Sequence, residues 1–192
     1  MDGLHLLPDK QLIESALAVV RWQRGDREAF AEIVRLWEQP LLFYLRRLAA
    51  NEADAWELLQ ETWLKMVRSL AKLRDPATLP AYLYATARNT ALSRMRSRSW
   101  ESEQYPEQLA DDGAADELGA LEDAEQVHHA LDILPLAQRE ALTLFFLQDL
   151  SLEEMATLLD VPVGTVKSRL HYAKLAMRKI ITQQMSGESH AR

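Results

Sequence analysis

The chain has 192 residues, 48% of them hydrophobic and 27% charged, with a net charge of −7 and no cysteine. That composition suits one or two small globular domains, and the missing cysteine excludes disulfides and thiolate metal sites and fits a reducing compartment. No apolar run approaches the roughly 20 residues of a membrane span, and the start MDGLHLLPDK lacks the pattern of a secretory signal. The expectation is therefore a cytoplasmic protein without membrane insertion.

Residues 1–24 carry Leu12, Ile13, Leu17 and Val20 at helical spacing, which predicts a leading helix. Gly25-Asp26-Arg27-Glu28 then opens a longer pattern, with Phe30, Ile33, Val34, Trp37, Leu41, Tyr44, Leu45 and Leu48 on one face. Pro40 falls inside it and predicts a kink or a fresh start. Asn51 is placed to cap a third helix, NEADAWELLQETWLKMVRSL, whose inward side is Ala55, Leu59, Thr62, Trp63, Met66 and Leu70. Asp54, Glu57, Glu61 and Leu64 point outward at spacings of three, four and three. Carboxylates flanking an exposed leucine suit a basic partner helix, although a solvated face with one stray leucine has the same pattern.

A loop from Ala71 to Leu79, with Lys72, Arg74, Asp75 and Pro76, leads into AYLYATARNTALSRMRSR. Ala81, Tyr84, Arg88, Ala91, Leu92 and Met95 form its expected inner side, and Tyr82, Thr86, Asn89, Ser93 and Arg96 a continuous outer stripe. An aromatic ring, hydroxyls, an amide and a guanidinium on one face supply stacking, hydrogen bonding and phosphate contact, the needs of single-stranded DNA binding. Arg94, Arg96 and Arg98 add charge at the helix end. A half-buried packing tyrosine is the competing reading.

From Trp100 to Glu125 the chain holds ten acids and no base, with Pro106, Gly113 and Gly119 among few apolar residues. This reads as a flexible acidic linker, either a solvated spacer or a screen for DNA-binding faces. The five histidines are scattered, and the adjacent pair His128 and His129 would diverge by about 100° on a helix, so no metal site is expected. There is no P-loop or glycine-rich phosphate fingerprint, and no catalytic site or cofactor is expected.

The second half contains a helix, a tight turn and a second helix between Leu150 and Lys179. Ser151 is a good N-cap with Glu153 and Glu154 in the first turn, Asp160 suits a left-handed turn position, and Pro162 suits the opening of the next helix. Val163, Val166, Leu170, Ala173 and Met177 then form a narrow buried stripe. Gly164, Ser168 and His171 lie opposite, flanked by Thr165, Lys167 and Tyr172, while Arg169 and Lys174 lie near the buried edges and suit phosphate contact. Between Thr165 and Lys179 there are five bases and no acid. In a chain of net charge −7 that concentration suits a polyanion, whereas periodicity alone would fit any helical hairpin.

GDREAFAEIVRLW, DAWELLQETWLKM and AYLYATARNTALSRMRSR together resemble the second conserved region of the bacterial sigma-70 family. LPLAQREALTLFFLQDLSLEEMATLLDVPVGTVKSRLHYAK resembles its fourth, and PVGTVKSRL is the most specific single piece. The resemblance is to the compact extracytoplasmic-function group, which keeps only these two regions, and covers about residues 25–98 and 130–179. It implies an all-α protein of two small helical domains: a leading helix at 1–24, a region-2 domain at 25–99, the acidic linker at 100–125, a region-4 helix-turn-helix domain at 126–183 and a tail at 184–192.

By the same resemblance the chain is a transcription initiation factor that binds core RNA polymerase, recognises promoter DNA and helps melt it. Asp54, Glu57, Gln60, Glu61 and Leu64 fall in the strip that docks on the polymerase. Tyr82, Asn89, Ser93 and Arg96, with Lys72 and Arg74 from the loop, fall where the family captures the single-stranded minus-ten element. Thr165, Lys167, Ser168, Arg169, His171 and Lys174 fall on the helix that reads the duplex minus-35 element in the major groove. An anti-sigma factor is an implied partner. Three positions depart from the usual pattern: Asp160 replaces a glycine, Ser93 an aspartate and Tyr172 an arginine. A sigma-like protein that titrates an anti-sigma factor, and a plain helix-turn-helix regulator, are the alternatives. The first predicts a degraded recognition helix, and the second has no use for the Asp54–Leu64 strip.

Overall fold

A computed structural model of the chain describes residues 9–104, 122–147 and 150–188, and every regular element among them is helical. The elements fall into two compact units, one holding α1 to α4 and the other α5 to α8. Of the expected linker at 100–125, residues 100–104 continue the fourth helix and residues 122–125 open the fifth, while residues 105–121, like 1–8, 148–149 and the last four, lie outside the described set.

In the first unit α1 (Asp9–Gln23) packs on α2 (Glu28–Arg46), α2 packs on α3 (Glu52–Ser69) and α4 (Leu79–Gln104), and α3 packs on α4. Gly25, at φ 96°, makes the turn between α1 and α2 in a region that favours glycine. Asp26 follows, its carboxylate accepting from the Glu28 backbone N–H at 3.0 Å and pairing with Arg21. That pairing holds the Asp26 carboxyl below its ordinary range, the Arg21 hydrogen bond being the main cause.

Helix α1 corrects the expected stripe. Ile13 and Leu17 are each 59% exposed, while Ser15, Ala18 and Val19 are buried. Two of the three buried residues are small, so the face that α1 buries is not the one its larger apolar side chains mark.

Pro40 leaves α2 a single helix rather than dividing it. Proline has no N–H to give the carbonyl four residues earlier, which is that of Leu36. Gln11 on α1 supplies the donor instead, its Nε2 bonding Leu36 O at 3.0 Å. A second glutamine on α1, Gln23, donates to Leu70 O and Leu73 O at 3.3 and 2.7 Å and so fastens the loop before α4.

The core of this unit is aromatic. Trp37, Tyr44 and Tyr84 are fully buried, and Tyr84 meets the other two rings edge-on at 6.3 and 5.4 Å. Burial drives the Tyr84 hydroxyl far above its ordinary pKa, so it stays neutral. Helix α4 turns a different face inward from the one expected. Leu83, Tyr84, Ala87, Thr90 and Ala91 are buried, whereas Met95 is 39% exposed and Arg88 and Leu92 are half-buried. The buried stripe is thus centred between the expected inner side and the flank that meets α3.

In the second unit α5 (Glu122–Ile133), α6 (Leu136–Leu142) and α7 (Leu152–Leu159) all pack on α8 (Val163–Glu188), and α6 runs on into a wide π turn at Thr143–Leu147. Arg139 of α6 closes the end of α5, donating to Asp132 O and Leu134 O at 2.7 and 3.2 Å. The core joins Leu131, Leu144, Met155, Leu159, Val166 and Ala173.

Candidate protein and nucleic-acid interfaces

Helix α3 begins where the sequence places it. The Asn51 side chain accepts from the Asp54 backbone N–H at 2.9 Å, satisfying one of the donors a helix start leaves open. Ala55, Leu58, Leu59, Thr62 and Met66 face the core, which leaves Glu57, Gln60 and Leu64 exposed and Glu61 half-buried.

Asp54 is a correction to the expected outward row. It is only 5% exposed, one oxygen accepting from the Ala50 N–H at 3.2 Å and the other from Arg94 Nη1 at 3.2 Å. Arg94 lies one turn beyond Thr90 on α4 and reaches across to three carboxylates of α3. Its Nη1 also meets Glu57 at 2.6 Å, and its Nη2 meets Glu61 at 3.3 Å.

A second cation closes the same seam. Lys65 Nζ pairs with Glu61 at 2.8 Å and donates to Thr90 Oγ1 at 2.9 Å. The Lys65 hydrogen bond is the main cause that lowers the Glu61 carboxyl below its ordinary range, with Arg94 assisting. Arg94 is in turn held more firmly protonated, chiefly by Glu57. These three carboxylates and two cations carry a net charge of −1, less acidic than the row of carboxylates read from one helix.

The sequence reading missed the apolar half of the face. Trp56 is 38% exposed and Val67 40%, and with Leu64 at 61% they flank Gln60 on one side of α3. The signal was available, since on a helical wheel Trp56 and Val67 lie within about 40° of Gln60. Arg94 had no such signal, because its partners are more than thirty positions away in the chain.

On α4 the expected outer stripe is continuous. Asn89, Ser93 and Arg96 are exposed, and Tyr82 and Thr86 are half-buried. The Thr86 hydroxyl donates to Tyr82 O at 2.8 Å, so its proton is engaged within the helix. Lys72 and Arg74 are exposed on the loop that enters α4, where Asp75 caps the short turn Pro76–Thr78 by accepting from the Ala77 N–H at 3.0 Å.

In the second unit Ser151 forms a full capping box. The Glu154 N–H donates to Ser151 Oγ at 3.2 Å, and the Glu154 carboxylate accepts from Ser151 N and Oγ at 2.8 and 2.7 Å. Asp160 takes a left-handed conformation at φ 54°, ψ 52°, and the next N–H, of Val161, donates back to Ala156 O at 3.1 Å. Pro162 O then receives the N–H groups of Thr165 and Val166 and starts α8.

Along α8, Val166, Leu170 and Ala173 are buried and Val163 and Met177 half-buried. Gly164, Lys167, Ser168 and His171 are exposed, with Tyr172 at 61%, and Thr165 and Arg169 are half-buried. Lys174 stands apart. Its ammonium lies 5.6 and 5.0 Å from the rings of Phe145 and Phe146, on the rim of an apolar groove of about 480 Å³ between α5, the π turn and α8. Leu131, Leu142, Met177 and Ile181 line that groove, which the sequence reading did not foresee. Among the described residues no three His, Cys, Asp or Glu side chains gather as metal ligands, and no helix is long and apolar enough to cross a membrane.

Residues 33–101 match the family model for sigma-70 region 2, and residues 124–177 the model for sigma-70 region 4. The RNA polymerase sigma-H factor of Pseudomonas aeruginosa is 31% identical over 186 residues, spanning 90% of this chain and 93% of that protein. The chain belongs to the sigma-70 family. Its relatives include members of the extracytoplasmic-function group: the Escherichia coli sigma-E factor is 30% identical over 88% of this chain and 94% of its own length, and Bacillus subtilis SigW 26% identical over 82% and 91%. Among solved structures, the sigma factor RpoE in complex with the anti-sigma factor NepR from Bartonella quintana matches with a TM-score of 0.73 at 25% identity, covering 80% of this chain and 96% of that one.

Proposed function

We infer that this sigma-70 family member is an extracytoplasmic-function sigma factor that binds core RNA polymerase, directs it to promoters and promotes their melting. The outer face of α3, with Glu57, Gln60, Glu61 and Leu64 and the adjoining Trp56 and Val67, docks on the polymerase, and Asp54 supports it from beneath. The α4 stripe of Tyr82, Asn89, Ser93 and Arg96, with Lys72 and Arg74, holds the unpaired minus-ten strand. Bases splayed onto such a surface regain about 1–3 kcal/mol each on an aromatic platform, so binding itself favours the melted state. Thr165, Lys167, Ser168 and His171 of α8 face the minus-35 duplex, with Arg169 on a phosphate. Lys174 has a weaker claim to the backbone, because its ammonium is engaged over two rings.

The observation that carries this reading is one chain holding both an exposed Leu64 beside carboxylates on α3 and a cationic, acid-free face on α8. A plain regulator has no use for the first, and a protein that only titrates an anti-sigma factor has no use for the second. The protein acts by binding rather than catalysis and works in the cytoplasm, where polymerase is found. An anti-sigma partner is supported by the NepR complex of the related RpoE. Purified chain mixed with core polymerase is expected to initiate transcription from promoters selected out of a random DNA pool. Failure to bind core polymerase where an established sigma factor binds would overturn the reading.

A further inference from the structure

Helix α1 precedes the residues that match the region 2 model, which begin at Ile33. Its last residue, Gln23, nevertheless reaches the loop that carries Lys72 and Arg74. The side-chain amide has two N–H groups and meets two carbonyls, Leu70 O at 3.3 Å and Leu73 O at 2.7 Å. Those carbonyls bracket Lys72, and the second belongs to the peptide that joins Leu73 to Arg74. Gln23 therefore fixes the backbone on both sides of one cation and immediately before the other.

The far half of the loop is held from within. Asp75 accepts from the Ala77 N–H at 3.0 Å, and its carbonyl receives the Thr78 hydroxyl at 2.7 Å. In the near half the Leu73 N–H closes a turn on Leu70 O at 3.1 Å, but Leu73 itself is extended at φ −66°, ψ 114°, so its carbonyl leaves the helical hydrogen-bond pattern and takes its bond from Gln23. The end of α1 is a firm mount for that bond. Trp22 meets Phe30 of α2 at 5.3 Å, and Phe30 meets Trp63 of α3 edge-on at 5.9 Å. We propose that Gln23 is a positioning residue for unpaired DNA: it holds the loop in the shape in which Lys72 and Arg74 meet the phosphates of the minus-ten strand. A loop already ordered in the free protein loses less conformational freedom when the strand arrives, so the strand binds more tightly without touching Gln23.

This inference rests on the functional reading above, and the experiment separates the two. Affinity of the holoenzyme, the chain plus core polymerase, is measured for a single-stranded oligonucleotide selected from a random pool by the wild-type holoenzyme, alongside the affinity of the chain for core polymerase. Gln23→Met keeps the length of the side chain and removes both donors. It is expected to weaken oligonucleotide binding about five- to tenfold, the scale of one or two lost hydrogen bonds, and to leave polymerase affinity unchanged. The deciding readout is the same substitution in a Lys72→Ala, Arg74→Ala background. With both cations gone, Gln23→Met is expected to change oligonucleotide affinity less than about twofold, because it acts through them, whereas a general loosening of the unit would lower affinity equally in both backgrounds. An effect of equal size in the two backgrounds, no effect in either, or a loss of polymerase binding in Gln23→Met overturns the role of Gln23 and leaves the functional reading standing. A wild type that binds neither polymerase nor oligonucleotide overturns the reading and the proposal together.

Discussion

Leu64→Ala tests the proposed docking face most directly, because the residue is large, apolar and 61% exposed on a helix whose opposite side is core. Fully burying a leucine side chain stabilises by about 1.5–3 kcal/mol. Covering the fraction that folding leaves exposed is then worth about 1–2 kcal/mol, or about 5- to 30-fold in Kd. Stability should fall by no more than about 1 kcal/mol, since less than half of the side chain is covered in the free protein. Leu58, on the inner side of the same helix and 1% exposed, provides the contrast: Leu58→Ala should cost about 2–5 kcal/mol of stability. The assay is competition of each variant with labelled wild-type chain for core polymerase, with thermal unfolding in parallel. A Leu64→Ala variant that competes as well as wild type would refute the reasoning. So would one that melts as early as Leu58→Ala, because the leucine would then be part of the core.

Ser151→Ala removes the acceptor of the Glu154 N–H and should cost about 1 kcal/mol, lowering the melting temperature of the second unit by roughly 4–8 °C; an unchanged transition would mean that the capping box does not hold α7. Glu61 is held below its ordinary range, so its contribution is complete above the unfolded carboxylate pKa and is lost as pH falls through the lower folded value. The stability difference between wild type and Glu61→Gln should therefore shrink as pH drops from about 5 toward 3, and a difference that stays constant over that window would contradict the Lys65 and Arg94 pairing. Arg169→Ala should weaken promoter binding evenly across sequences and reduce the salt slope by about 0.9, whereas Lys174→Ala should change the slope less. A loss confined to one base position would show that Arg169 reads a base.

Both surfaces proposed to face DNA were legible as outward faces because each lies on a single helix, where a period of 3.6 residues decides what faces out. Asn89, Ser93 and Arg96 on α4, and Lys167, Ser168 and His171 on α8, are exposed as that period requires. Three helix ends were equally legible, since Asn51, Ser151 and Asp160 act within three or four residues of themselves. The same periodicity failed for α1 and for the inner face of α4. Which of two faces is buried there depends on where the neighbouring helices pack, and α1 buries Ser15 and Ala18 in preference to Ile13 and Leu17.

By itself, then, the sequence determined where α3 and α7 start and where α7 stops, and which side chains of α3, α4 and α8 face outward, Asp54 apart. These are consequences of local backbone geometry and side-chain spacing. Only the tertiary structure decided which partners those helices meet within each unit. It gave Leu36 O a donor from Gln11, set Lys174 over Phe145 and Phe146, and buried Asp54 beneath Arg94, forty positions further along. Charges and hydrogen-bonding groups seek partners through space, and helix packing brings those partners together from distant segments. A face that looks acidic on its own helix is therefore less acidic once its neighbour is in place.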